Sequence, residues 1–149
     1  MAAPGEQDVV IYTDGACEGN PGPGGYAAIV DDGVSQREIS GGEPQTTNNR
    51  MELRAVIEGL ASLPAGTRAR VVTDSQYVVN GVTSWAKTWQ KNGWRNAAKE
   101  PVKNRDLWEK LLALSKEHDV RWEWVRGHNG HPENERADAL ARRAITELE

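Results

Sequence analysis

The chain carries a single cysteine, Cys17, in 149 residues. One thiol excludes an intramolecular disulfide and a metal cage built from cysteines, and it suits a reducing, cytoplasmic setting. Long apolar runs are missing as well. None approaches the ~20 residues needed to cross a bilayer, so no membrane partner is expected. The opening MAAPGEQD has neither a basic n-region nor an apolar h-region, and no secretory signal is expected there. Internal repeats and an interdomain linker are also lacking. Finally, there is no surplus of positive charge: the formal net charge is −4, which argues weakly against binding nucleic acid.

What is present is the make-up of one globular domain spanning residues 1–149, with residues 1–7 as a loose tail. Hydrophobic residues make up 38% of the chain and charged residues 27%, enough to bury about 68–70% of the unfolded surface. The charge is unevenly spread. Residues 85–110 hold seven basic side chains (Lys87, Lys91, Arg95, Lys99, Lys103, Arg105 and Lys110) against three acidic ones, while residues 1–84 are net −6. A local basic patch can hold phosphates whatever the total. An ordinary solvated helical face reads equally well from charge alone.

The stretch VVIYTDGACEGNPGPGGY, Val9 to Tyr26, organises the rest. β-Branched and aromatic residues predict a first strand over Asp8 to Thr13, with Asp14 where it stops. A glycine- and proline-rich loop follows. Gly24 to Val30 predicts a second strand, Asp31-Asp32-Gly33 a tight turn, and Val34 to Ser40 a third strand, giving an antiparallel meander. Gly41 to Asn49 reads as loop. Leu53, Val56, Ile57 and Leu60 give the i, i+3, i+4, i+7 stripe of a helix, with Asn49 and Glu52 at capping-box spacing and Pro64 and Gly66 beyond its end. Ala69 to Thr73 predicts a fourth strand that stops at Asp74, and Ser75 can cap a short helix. A strand–helix–strand crossover places this strand parallel to an earlier one. If that neighbour is the first strand, Asp14 and Asp74 lie side by side at the carboxyl ends, where open α/β sheets bind ligands. Residues 81–105 are less regular, with Trp85, Trp89 and Trp94 among basic residues. Asn104 to Glu117 predicts a helix, Val120 to Val125 an edge strand, Gly127 to His131 a flexible loop, and Pro132 the first turn of a last helix. The inward stripe of that helix is Ala137, Leu140, Ala141, Ala144, Ile145 and Leu148.

Four acids stand where a structure does not ordinarily need them. Asp14 and Asp74 end strands, Glu52 opens a helix, and Asp138 edges the buried face of the last helix. Each has a plain alternative: a turn for Asp14-Gly15, a capping box for Glu52, a helix cap for Asp74 and a surface acid for Asp138. The case for function is joint. Carboxylates brought within ~4 Å repel by about 4 kcal/mol per pair at an effective dielectric of 20. A fold that gathers them needs protons or cations. Oxygen ligands without a cysteine cage point to Mg²⁺ or Mn²⁺, and two such ions ~3.5–4 Å apart suit phosphodiester hydrolysis. His128, in a glycine-flanked loop, has the chemistry of a proton shuttle near neutral pH or is a plain loop histidine. His131, before Pro132, reads as a helix-entry residue.

Together these residues resemble a known family. Thr13 to Tyr26, Thr46-Thr47-Asn48-Asn49-Arg50-Met51-Glu52-Leu53, Thr73-Asp74-Ser75-Gln76-Tyr77-Val78, and Gly127-His128 through Ala137-Asp138 are similar to the motifs of bacterial type I ribonuclease H, in order and spacing, over roughly residues 8 to 147. The resemblance implies an α/β fold with a five-stranded mixed sheet, strand order 3-2-1-4-5 and helices on both faces. It also implies an endonuclease that hydrolyses the RNA strand of RNA/DNA hybrids, leaving 5′-phosphate and 3′-hydroxyl ends with two Mg²⁺ ions, or Mn²⁺, as cofactors. Asp14, Glu52, Asp74 and Asp138 match the metal-binding acids, and His128 matches the family's mobile histidine. Cys17, Asn20, Asn48 and Gln76 match positions near the RNA 2′-hydroxyls or minor groove, the feature that tells RNA from DNA. Thr47 and Asn104 match a pocket for a DNA-strand phosphate, and Trp85 and Trp89 the channel for the deoxyribose strand. Residues 81–105 then resemble the basic protrusion. Gln90-Lys91-Asn92 stands where a dense basic run can occur, so weaker, salt-dependent hybrid binding is expected. The family often has serine at Ala16. No amino-terminal hybrid-binding domain or second catalytic domain is expected in this length, and a monomer is the default.

Overall fold

A computed structural model describes residues 8–126 and 131–148. Strands β1 (Val9–Cys17), β2 (Gly22–Asp31) and β3 (Gln36–Thr46) come first, then helix α1 (Asn48–Ala61), strand β4 (Arg68–Thr73) and the short helix α2 (Gln76–Asn80). A π-helical turn, Gly81–Trp85, leads into α3 (Ala86–Asn92), followed by α4 (Arg105–Glu117), β5 (Asp119–Trp124) and α5 (Pro132–Thr146). The sheet order is β3-β2-β1-β4-β5. β1–β2 and β2–β3 are antiparallel, and β1–β4 and β4–β5 are parallel. This is the mixed sheet, and the strand order, that the family resemblance implies, with the expected meander as its antiparallel half.

Alternation along the central strands builds two cores. Ile11 and Val71 face α1 and α4, packing with Leu53, Val56, Leu60, Trp108 and Leu111. Their neighbours Tyr12 and Val72 face α5, packing with Ala27, Ile29, Ala137 and Ala141. The strand period of two thus puts helices on both faces. Tyr77, Trp85, Trp89, Trp94 and Trp108 form a chain of ring contacts that ties residues 77–94 to α4. A Cβ at Gly81 would overlap the Trp108 ring, which is why glycine sits where the π-helical turn crosses the indole.

Several boundaries differ from the expectations. β1 does not stop at Asp14. Its parallel ladder with β4 ends at Thr13, while its antiparallel ladder with β2 runs on to Cys17↔Gly24. Residues 41–46 continue β3 because the glycine-rich start of β2 pairs with them, Gly25 with Gly42 and Gly24 with Glu43. The cap of α1 is Thr47, whose hydroxyl accepts from Arg50 N at 3.3 Å, so Asn49 and Glu52 do not form a capping box. Glu52 consequently lies in the second turn. Residues 81–92 are helical, where sequence periodicity had suggested irregularity. α4 begins at Arg105, after Asn104 in the left-handed region at φ 64°. Leu148 is exposed, beyond the end of α5. Ser75 caps α2 as expected, accepting from Val78 N at 3.1 Å.

Candidate active site

The end of the parallel β1–β4 ladder fixes the first two acids. Thr13 and Thr73 are its last partners, so Asp14, still paired with β2, and Asp74, just past the end of β4, stand next to each other where the two strands part. Glu52 reaches the same point from α1, because α1 crosses β1 with no gap at Gly15. A Cβ there would stand 2.6 Å from Glu52 N and from Met51 C. One carboxylate oxygen from each of Asp14, Glu52 and Asp74 lies within 4.8 Å of the others. Asp138, on α5, lines the same cavity of about 250 Å³ with Thr13, Asn48, Asn134 and Arg142. The structure therefore brings the four predicted acids together.

The electrostatics follow from that crowding. Burial, the Asp74 charge and a hydrogen bond with the Asp138 carboxyl push the Asp14 carboxyl up to about 8, although Gly15 N donates to Asp14 Oδ1 at 2.9 Å. Glu52 is raised well above the ordinary carboxylate range, first by burial and then by the charges of Asp14 and Asp74. Its Oε2 is enclosed without a protein partner. Asp138 is more open and pairs with Arg142 one turn on, at 3.2 Å. A buried cluster of this kind holds protons until a cation takes their place. Hard oxygen donors, close spacing and an orphaned carboxylate oxygen fit a divalent cation such as Mg²⁺ or Mn²⁺.

The other predicted residues are placed around this cavity. Asn48 lines it, and Cys17 lines an adjoining cavity with Asn48, Asp138 and Arg142. Cys17 Sγ lies 3.5 Å from Thr46 O and 3.6 Å from Gly22 O, turned toward the Gly22–Thr46 pair of β2 and β3. Asn20 Oδ1 accepts from Asn48 N at 2.9 Å, tying the glycine–proline loop to the start of α1. Gln76 is exposed at the first residue of α2, two positions past Asp74. Thr47 and Asn104 both contact Arg50: Thr47 Oγ1 accepts from its backbone N, and Asn104 Oδ1 from its Nη1 at 3.2 Å. Trp85 and Trp89 line a separate groove with Thr88, Asn92 and Arg95. His128 lies outside the described residues.

Sequence reasoning missed Asn134 and Arg142. A signal was available. Asn134, Asp138 and Arg142 fall at i, i+4 and i+8, one face of α5. It also missed Trp124, whose Nε1 donates to the backbone oxygen of Asp74 at 3.1 Å.

Comparison with known proteins gives one consistent picture. The family model described as RNase H matches residues 6–146. The ribonuclease H of Pelobacter propionicus is 61% identical over 140 residues, covering 94% of this chain and 86% of that protein. The ribonuclease H of Alcanivorax borkumensis is 56% identical over 142 residues, covering 95% and 94%. Among solved structures, LC9-RNase H1, described as a type 1 RNase H with the type 2 active-site motif, superimposes with a TM-score of 0.82 at 37% identity, covering 95% of this chain and 73% of the other. LC11-RNase H1, solved in complex with an RNA/DNA hybrid, gives 0.74 at 25% identity, covering 95% and 99%.

Proposed function

Because the chain belongs to the ribonuclease H family, we propose that it hydrolyses the RNA strand of RNA/DNA hybrids with two divalent cations, leaving 5′-phosphate and 3′-hydroxyl ends. The observation that carries the reading is the convergence of Asp14, Glu52 and Asp74 within 4.8 Å, with Asp138 on the same cavity. In the reaction water attacks phosphorus and the P–O3′ bond breaks. Asp14, Glu52, Asp74 and Asp138 would hold the cations, Mg²⁺ or Mn²⁺. When bound, these would neutralise charge on the attacking and leaving oxygens. The burial of Asp14 and Glu52 keeps bulk water from screening that charge. His128 assists proton transfer or product release.

Substrate choice rests on the surrounding residues. Cys17, Asn20, Asn48 and Gln76 read the sugar edge of the RNA strand, where a 2′-hydroxyl both donates and accepts. Thr47 and Asn104 cradle a phosphate of the DNA strand beside Arg50. Trp85 and Trp89 hold its deoxyriboses, and exposed lysines of residues 85–110 supply the sequence-independent attraction. The enzyme acts as a cytoplasmic monomer.

The discriminating experiment is a panel of end-labelled RNA/DNA hybrid, duplex DNA and duplex RNA, incubated with Mg²⁺ and with EDTA. Cleavage confined to the RNA of the hybrid and stopped by EDTA is expected. Cutting of duplex DNA would favour a resolvase- or transposase-like nuclease of the same fold. Hybrid binding with no cleavage under any metal would leave a binding module.

A further inference from the structure

Asn134 is the third residue of α5, yet it is only 8% exposed. Its Nδ2 donates to Val72 O at 3.1 Å, while its Oδ1 is enclosed without a protein partner. An amide in that state is a poor choice for stability. A buried acceptor left unpaired costs folding free energy that an apolar side chain of similar size would not. What the amide does hold is a junction between two elements. α5 lies over β1, β2 and β3, and Asn134 gives it a direct polar tie to β4. Asp74 follows Val72 by two residues, one position past the end of β4. On α5, Asp138 follows Asn134 by one turn and shares its face. The tie therefore joins the two segments that deliver the third and fourth carboxylates, and Asn134 itself lines the cavity they share.

We propose that Asn134 is a positioning residue of this site: its bond to Val72 O sets the separation of Asp138 from Asp74 and thereby the affinity of the acid cluster for a divalent cation. The inference rests on the reading of the acids as a cation site. Residues that orient ligands from behind typically govern metal affinity by 10–100-fold.

The test is a Mg²⁺ titration of the full, ¹⁵N-labelled chain without substrate, followed through its backbone amide shifts. Asn134→Ala is expected to raise the Mg²⁺ dissociation constant by roughly 10–100-fold. Ala144→Gly, in the same helix but off the cavity, serves as a control for general loosening of α5 and is expected to bind Mg²⁺ as the parent does. Unchanged affinity in Asn134→Ala overturns the inference, and so does equal weakening in Ala144→Gly. Should Asn134→Ala not fold, Asn134→Leu, apolar and branched at Cγ as asparagine is, takes its place with the same expected result. A parent chain that shows no Mg²⁺-dependent shifts removes the cation-site reading and this inference with it. A parent that binds normally, beside an Asn134 variant that does the same, removes the inference alone.

Discussion

Thr13 and Thr73 are the last partners of the parallel ladder between β1 and β4, and each is followed by an aspartate. The sheet itself therefore presents Asp14 and Asp74 together, and everything else at the site is brought to that pair. The folded state carries the cost of their proximity. The Asp14 carboxyl, ordinarily at 3.8, is pushed up to about 8, by burial first and then by Asp74.

That shift sets the pH dependence of stability. Between about pH 4 and 8 the folded chain keeps a proton on Asp14 that the unfolded chain has released. The folded state binds more protons, so stability falls as pH rises through this window. Asp14→Asn lacks the titrating charge. In EDTA its melting temperature should exceed the parent's by little at pH 5 and by more at pH 8, where a gain of roughly 2–4 kcal/mol is expected. Mg²⁺ should narrow the gap by stabilising the parent, and the variant should not cleave hybrid. A gap that stays constant from pH 5 to 8 would contradict the assignment, as would persistent cleavage.

Gly15 is required by contact. Its α-carbon faces the α1 backbone so closely that an added Cβ would stand 2.6 Å from Glu52 N and Met51 C. Backbone cannot rotate away as a side-chain tip can, so Gly15→Ala must push α1 off β1. A destabilisation of about 1–3 kcal/mol is expected, together with a larger loss of cleavage, because Glu52 moves with the helix. Urea unfolding and single-turnover cleavage check the two effects separately. Parent-like activity in a destabilised variant would show that Glu52 tolerates displacement.

Local patterns made part of the site legible: the Val9–Tyr12 and Ala69–Val72 runs, the helical stripe between them and the aspartates that follow set Asp14 beside Asp74 provided the two strands are neighbours. The full strand order, and the place of Glu52 and Asp138 beside that pair, came from the resemblance of the four motifs to ribonuclease H. The residues that escaped depend on pairing across the chain. Residues 41–46 look like loop, and become strand only because glycines of β2 lie opposite. Asn49 and Glu52 have capping-box spacing, but Thr47 takes the cap and leaves Glu52 free to turn inward. Trp124 and Asn134 touch the Asp74 segment through backbone carbonyls, and no spacing rule announces such bonds.

The protrusion predicts a salt response. Lys87 and Lys91 are exposed on α3 one turn apart, with the exposed Gln90 and Asn92 on either side of Lys91. Each phosphate neutralised by a lysine releases counterions and adds to the slope of log affinity against log salt. Lys87→Ala and Lys91→Ala should each weaken hybrid binding and lower that slope by about 1. Gln90→Lys should steepen it and lower the Kd for hybrid at moderate salt. Fluorescence anisotropy of a labelled hybrid from 50 to 300 mM salt measures both. A slope indifferent to all three changes would mean that residues 85–110 are an ordinary solvated face.

Trp124 offers a test of how firmly Asp74 must be held. Its Nε1 donates to the Asp74 backbone oxygen at 3.1 Å from the end of β5, while about two-fifths of the residue remains exposed. Trp124→Phe keeps an aromatic ring and removes the donor. The exposed acceptor can turn to water, so the stability loss should stay near the low end for a hydrogen bond, about 0.5 kcal/mol. Catalysis should suffer more than stability. The carboxylate on the same residue loses an anchor of its peptide, and small displacements of a ligating group weaken its effect. The expected result is a fall in kcat of several-fold at saturating Mg²⁺ with KM for hybrid little changed, because no substrate contact has been removed. A rise in KM with unaltered kcat would instead assign the exposed indole face to the substrate, and the two parameters measured on one labelled hybrid decide between these roles.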